Sequence, residues 1–143
     1  MKFLFYILLI SICHHSFAKE MLEVKNAFVR FLPPTSKVSA AFMDIRNISN
    51  KDIAIIKAQA QIAKYVEIHN HVSVNGVMKM TEMPKLIIPK GKTVRLTTGS
   101  YHIMFIELFH PLKLDDKIDL KLVLEDKSEM NLKLNVLDQA PIH

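Results

Sequence analysis

Apolar and polar positions alternate along most of this chain in short runs, and turn residues cut the runs apart. KIDLKLVLED (117–126) is the clearest case: Ile118, Leu120, Leu122 and Leu124 point one way, and Asp119, Lys121 and Val123 the other. That is the period-2 signature of a β-strand. MNLKLNVLD (130–138) repeats it, and LEVKNAFVRF (22–31) alternates in part before Pro33-Pro34. Between them lie VSAAFMDIRNI (38–48), IAIIKA (53–58), AKYVEIHNH (63–71), VMKM (77–80), KLIIP (85–89), TVRLT (93–97) and YHIMFIEL (101–108). Asn75-Gly76, just before VMKM, is a strong hairpin signal. No segment holds a 3.6-residue period beyond a short turn near 59–64, and there is no repeat, low-complexity tract or linker. This spacing predicts an all-β domain, an antiparallel β-sandwich or Greek-key barrel.

The first eighteen residues break the pattern. MKFLFYILLISICHHSFA has one Lys at its head, an apolar run from Phe3 to Cys13, and small residues at Ser16 and Ala18. It reads as a secretory signal peptide, residues 1–18. The apolar run is too short for a comfortable permanent membrane anchor. Lipidation would have to use Cys13, and Ile12 before it fits that poorly. Residues 19–143 then form a single domain, large enough to bury a core without disulfides. None could form, because Cys13 is the sole cysteine. His14 and His15 leave with the signal and do not count as ligands.

Charge narrows the function classes. Lys2 is the only charged residue of the leader, so 18 of the 19 basic side chains and all 14 acidic ones belong to the domain. They are scattered, with no basic block and no interleaved aromatics, which argues against nucleic acid as a partner and leaves only a mild preference for an acidic partner surface.

The candidate chemistry lies in the remaining histidines and the methionines. His102 and Met104 are two apart on a strand and share a face, as do His69 and His71, with Glu67, on an earlier strand. Met78 and Met80 share a face of the strand returning from Asn75-Gly76, so a hairpin can set His69 or His71 beside Met78 or Met80. Any one pair is more simply read as core packing, since Met fills gaps in cores. Together the residues suggest a soft-metal site. Thioether sulfur is soft and uncharged, suits Cu(I), and binds Zn(II), Ca(II) or Mg(II) poorly. A His/Met set needs no thiolate and survives where cysteines would oxidise. Of the others, His71 reads as a solvated hairpin residue; its functional alternatives are a group that supports a ligand from behind or a substitute ligand for Cu(II) or Zn(II). Met78 reads as a packing neighbour that keeps water from the metal, Met83 and Tyr101 as core filler, His110 as a turn residue and His143 as a frayed terminus.

The spacing His69–(ten residues)–Met80–(twenty-one residues)–His102–x–Met104 resembles the signature of the periplasmic PCu(A)C-type copper chaperones. VEIHNH is similar to that family's E-L-H segment, NGVMKM to its G-V-M-x-M, LIIPKGKTVRL to its I-P-x-G, and YHIMFIEL to its H-x-M strand. AAFMDIRN and HPLKLDDKIDLKLVLED extend the likeness over nearly the whole domain. The resemblance implies a cupredoxin-like Greek-key β-barrel that binds one Cu(I) through His69, Met80, His102 and Met104. It implies a carrier and not an enzyme, working as a periplasmic monomer and passing copper toward the dinuclear copper centre of cytochrome c oxidase or to another copper chaperone. The family's P-G-G before Tyr-His is TGS here, leaving only Gly99, and KLDD stands in place of a Gly-Asp turn. No His/Met-rich tail follows Val136, so no tail-borne second site is expected. A storage or tolerance protein without a dedicated acceptor, and a metal-free β-sandwich module, are the alternatives. The lack of cysteine in residues 19–143 argues against an electron-transfer cupredoxin, because blue-copper sites need a Cys ligand.

Overall fold

The computed structural model describes residues 21–141. The proposed leader and His143 lie outside the described residues. Ten strands follow in order: β1 (Leu22–Arg30), β2 (Val38–Asn47), β3 (Ile53–Gln59), β4 (Ala63–Val74), β5 (Val77–Glu82), β6 (Leu86–Ile88), β7 (Thr93–Leu96), β8 (His102–Leu108), β9 (Lys117–Leu124) and β10 (Glu129–Leu137). Each matches a predicted run to within a few residues; β4 differs most, continuing three residues past His71 to Val74.

The hydrogen-bonded order is β5-β4-β8-β2-β1-β10-β9-β3-β6, with β7 also paired to β2. Every pair is antiparallel except β1 with β10, which run parallel. β3 and β4 stand near opposite ends of that order, yet they are joined by a turn at Gln61 and Ile62 and pack on each other. The sheet therefore curls over itself and encloses the core, as expected for the predicted all-β class. Val29, Phe105, Leu122 and Val136 have no solvent exposure at all. Each such side chain contributes about 1.5–3 kcal/mol of burial free energy.

Local departures from alternation have visible causes. β1 alternates only in part because it carries a bulge between Lys25 and Phe28, with Asn26 at φ 55° and its side-chain amide donating to Asp44 Oδ2 at 2.8 Å. Left-handed backbone favours Asn among non-glycine residues. Asn75 (φ 51°) and Gly76 (φ 77°) form the two-residue turn between the paired Val74 and Val77, the geometry that twists with its strands. In KLDD, Asp115 takes a left-handed φ of 67° and the Asp116 carboxylate accepts from Lys113 N at 2.9 Å. Asp116 N also donates to Lys113 O at 3.2 Å, so Asp116 closes this loop through both its side chain and its backbone, without glycine. Alternation predicts Leu108 on the face of His102. Instead Glu107 adopts φ 57°, and Leu108 joins the core.

Asn47 ties the ends of two strands together. It is fully buried; its amide donates to the carbonyls of Lys51 (2.7 Å) and Ile88 (2.8 Å), and its oxygen accepts from Ser49 N and Oγ. Asn47→Ala removes this donor from buried carbonyls and is expected to lower stability by about 2–3 kcal/mol in urea unfolding. A loss below about 0.5 kcal/mol, the range of an ordinary surface change, contradicts this role.

Candidate metal site

β4 carries the site because it is hydrogen-bonded on both sides. Against β8, Glu67 stands opposite Met104 and His69 opposite His102. Against β5, His71 stands opposite Met80, Ser73 opposite Met78 and His69 opposite Glu82. Directly opposed residues of an antiparallel pair share a face. The four residues singled out by spacing, His69, Met80, His102 and Met104, therefore lie on one sheet face, together with Glu67 and His71. The His102 ring centre is 5.8 Å from that of His69 and 5.5 Å from that of His71. Phe42 packs on the ring from β2, with centres 6.3 Å apart. A small cavity, about 250 Å³, opens here; His71, Met80, His102 and Met104 line it, with Phe42 and Gly99.

His102 is the anchored member. It is 4 % exposed, and its Nδ1 hydrogen-bonds to Ser100 O at 2.9 Å. Nδ1 is the donor in that bond, which leaves the Nε2 lone pair for a ligand. The preceding turn holds Ser100 in place: Ser100 N donates to Thr97 O at 3.1 Å, and Gly99 sits at φ 83°. One glycine is enough to close this turn. Burial pushes the His102 pKa below its ordinary value; nearby His69 and His71 push the same way, and the bond to Ser100 opposes them.

His69 and His71 complete the imidazole cluster. His69 Nε2 is 2.7 Å from Glu67 Oε2. With that nitrogen donating to the carboxylate, Nδ1 presents its lone pair. Nδ1 of His69 and Nδ1 of His71 are both buried without a hydrogen-bond partner. An unpaired buried polar atom is costly, and two side by side on a face that also carries thioethers suit a metal ion as the missing partner. Among the described residues, no group of three or more His, Cys, Asp or Glu side chains is placed to hold a metal. The donors that lie beside these imidazoles on the same face are the sulfurs of Met80 and Met104, and thioether sulfur favours soft ions.

Other assignments fare unevenly. Met80 is 47 % exposed on the edge strand β5, while Met104 is half-buried. Met78 is 59 % exposed, so it does not shield the site as expected. His71 is half-buried with an orphaned nitrogen and is not the solvated residue its place near the hairpin suggests. Met83 and Tyr101 pack against the core, and His110 is exposed in a bend. The positioning roles of Glu67 and Ser100 were missed; the first was visible as a carboxylate two residues before His69, on the same face.

A pH dependence follows for the metal-free protein. The unfolded chain takes up the His102 proton at the ordinary histidine value and the folded chain only at lower pH. Stability is therefore full above about pH 6.5 and falls as pH drops through that value, levelling off below the folded-state pKa. His69, His71 and Glu67 face this ring from β4. The urea midpoint should fall from about pH 7.5 to about pH 5, and less steeply in His102→Gln. An equal slope in both proteins contradicts the assignment.

Comparison with known proteins places the chain. The family model described as LpqE-like matches residues 22–136. Lxx21020 of Leifsonia xyli subsp. xyli, which carries a lipoprotein name, is 30 % identical over 118 residues, covering 82 % of this chain and 70 % of that protein. Among solved structures, the copper-bound PCuAC domain from PmoF2 superposes with a TM-score of 0.69 at 13 % identity, covering 83 % of this chain and 94 % of that one. The solution structure of CuI-DR1885 from Deinococcus radiodurans gives a TM-score of 0.68 at 24 % identity, covering 87 % and 85 %. At these identities the solved structures establish a shared all-β fold. The family match over most of the domain and the 30 % identical relative establish kinship: the chain belongs to the LpqE-like family.

Proposed function

We propose that this protein is an exported copper(I) chaperone that carries one Cu(I) on His69, Met80, His102 and Met104 and performs no turnover. The observation that carries the reading is the meeting, on one sheet face, of two thioethers with imidazoles whose buried Nδ1 atoms lack partners. Soft sulfur with neutral imidazole is a Cu(I) donor set. The fold neighbours include domains described as copper-bound and CuI-loaded, which supports the same cargo. Lipoprotein-named relatives and the leader-like first eighteen residues support export, and we place the protein in the periplasm. A domain without cysteine suits an oxidising compartment.

The site is graded for release. His102 and Met104 sit on the inner strand β8, and His102 is fixed by Ser100 and Phe42. Met80 is exposed on the edge strand. An incoming Cys or His of an acceptor would displace the Met80 sulfur first, and the ion would leave by stepwise exchange without becoming free. The acceptor we propose is the copper domain that receives metal for the dinuclear centre of cytochrome c oxidase, or another copper chaperone, met by this chain as a monomer.

The test is an anaerobic Cu(I) titration against a colorimetric competitor. One equivalent should bind tightly. Loss of an outer partner of a metal ligand costs 10–100-fold in affinity, so His102→Ala and Met104→Ala, which remove ligands, should each cost about 100-fold or more. Affinity should also fall as pH drops below the ordinary histidine range, because imidazole must be neutral to bind. Unchanged affinity in both variants means that this strand is only core and leaves a metal-free β-sandwich module.

A further inference from the structure

His71 has no place in the four-ligand spacing, yet three observations put it in the site. It stands directly opposite Met80 in the β4–β5 register. Its ring centre is 5.5 Å from that of His102, slightly closer than that of His69 at 5.8 Å. It lines the same cavity as Met80, His102 and Met104, and its buried Nδ1 has no partner. His69 is not among the residues lining that cavity, and its Nε2 is engaged by Glu67.

We infer that His71 is a metal ligand that shares one coordination position with His69, so the ion has two imidazoles on β4 to choose between. The inference rests on the copper reading above. With metal–nitrogen bonds of about 2.0–2.1 Å, two imidazoles on one ion have ring centres up to about 6 Å apart, so both pairings with His102 fit. The two positions differ in character. The carboxylate of Glu67 fixes the orientation of His69, which makes it the more preorganised partner. His71, opposite exposed Met80, holds the ion nearer the hairpin tip. Passage from His69 to His71 moves copper along β4 toward that tip while His102 and Met104 keep hold of it. His71 is then the β4 imidazole nearer an incoming acceptor.

The experiment is the same anaerobic Cu(I) competition on the wild type, His69→Ala, His71→Ala and the double variant, with His71→Gln as a polar replacement that lacks the imidazole. Two groups sharing one position give a strongly non-additive cycle. Each single variant should lose less than about tenfold in affinity, His71→Gln should match His71→Ala, and the double variant should lose about 100-fold or more. Ring 15N resonances of Cu(I)-loaded His69→Ala should show His71 shifted by the metal. A His71→Ala protein equal to wild type, with the double variant no weaker than His69→Ala, overturns the inference and leaves the copper reading standing. So does a loss of about 100-fold in either single variant alone, because the position is then not shared. No Cu(I) binding by the wild type removes the copper reading, and this one with it.

Discussion

Strand β4 is the constraint on which the rest of the site depends. Its two hydrogen-bonded registers put His69 across from His102 and His71 across from Met80. A slip of one residue in either pairing would turn its side chains to the opposite face, and the imidazoles would part from the thioethers. The register on the β8 side is held by the core, since Ile68 pairs with Ile103 and both are buried. On the β5 side it is held by the two-residue turn at Asn75-Gly76. The proposed donors are thus brought together by backbone hydrogen bonds of the sheet, which suits a site that must be ready before an ion arrives.

The sheet also sets a gradient from inside to outside. His102 is buried and Met80 is nearly half exposed, with β4 between their strands. Burial keeps His102 neutral at pH values where a free histidine begins to take up a proton, which would keep the proposed inner ligand competent in mildly acidic surroundings. Exposure does the opposite work at Met80: an edge-strand thioether is reachable by another molecule's ligand. A carrier needs both, since a wholly buried site would hold its ion too long and a wholly exposed one would lose it.

Much of this was legible in the chain. Alternation located the strands, and Asn-Gly located the hairpin, because both signals are local. That His69 shares a face with His71, and His102 with Met104, also followed from period-2 geometry, and the hairpin brought Met80 toward β4; that β8 pairs with β4 did not follow, because this pairing is not local. Part of the rest depends on partners distant in the chain, and part on local geometry that residue type does not announce. The parallel pairing of β1 with β10 joins residues more than a hundred positions apart. Met78 was expected to shield the metal, yet its cross-strand partner is the small Ser73 near the hairpin tip, which leaves it in solvent. His71 read as a solvated residue because the predicted strand stopped at it, although a two-residue turn at Asn75-Gly76 pairs Val74 with Val77 and so sets Met80 opposite it. Glu107 broke the alternation through its backbone angle, which its residue type does not announce.

The central claim is that methionine sulfur and histidine nitrogen bind one ion together. X-ray absorption at the copper edge of the Cu(I)-loaded protein tests it most directly. The account predicts a first shell containing both nitrogen and sulfur scatterers, with the sulfur contribution reduced in Met80→Ala and in Met104→Ala. A shell of nitrogen and oxygen alone, unchanged by either substitution, would contradict it.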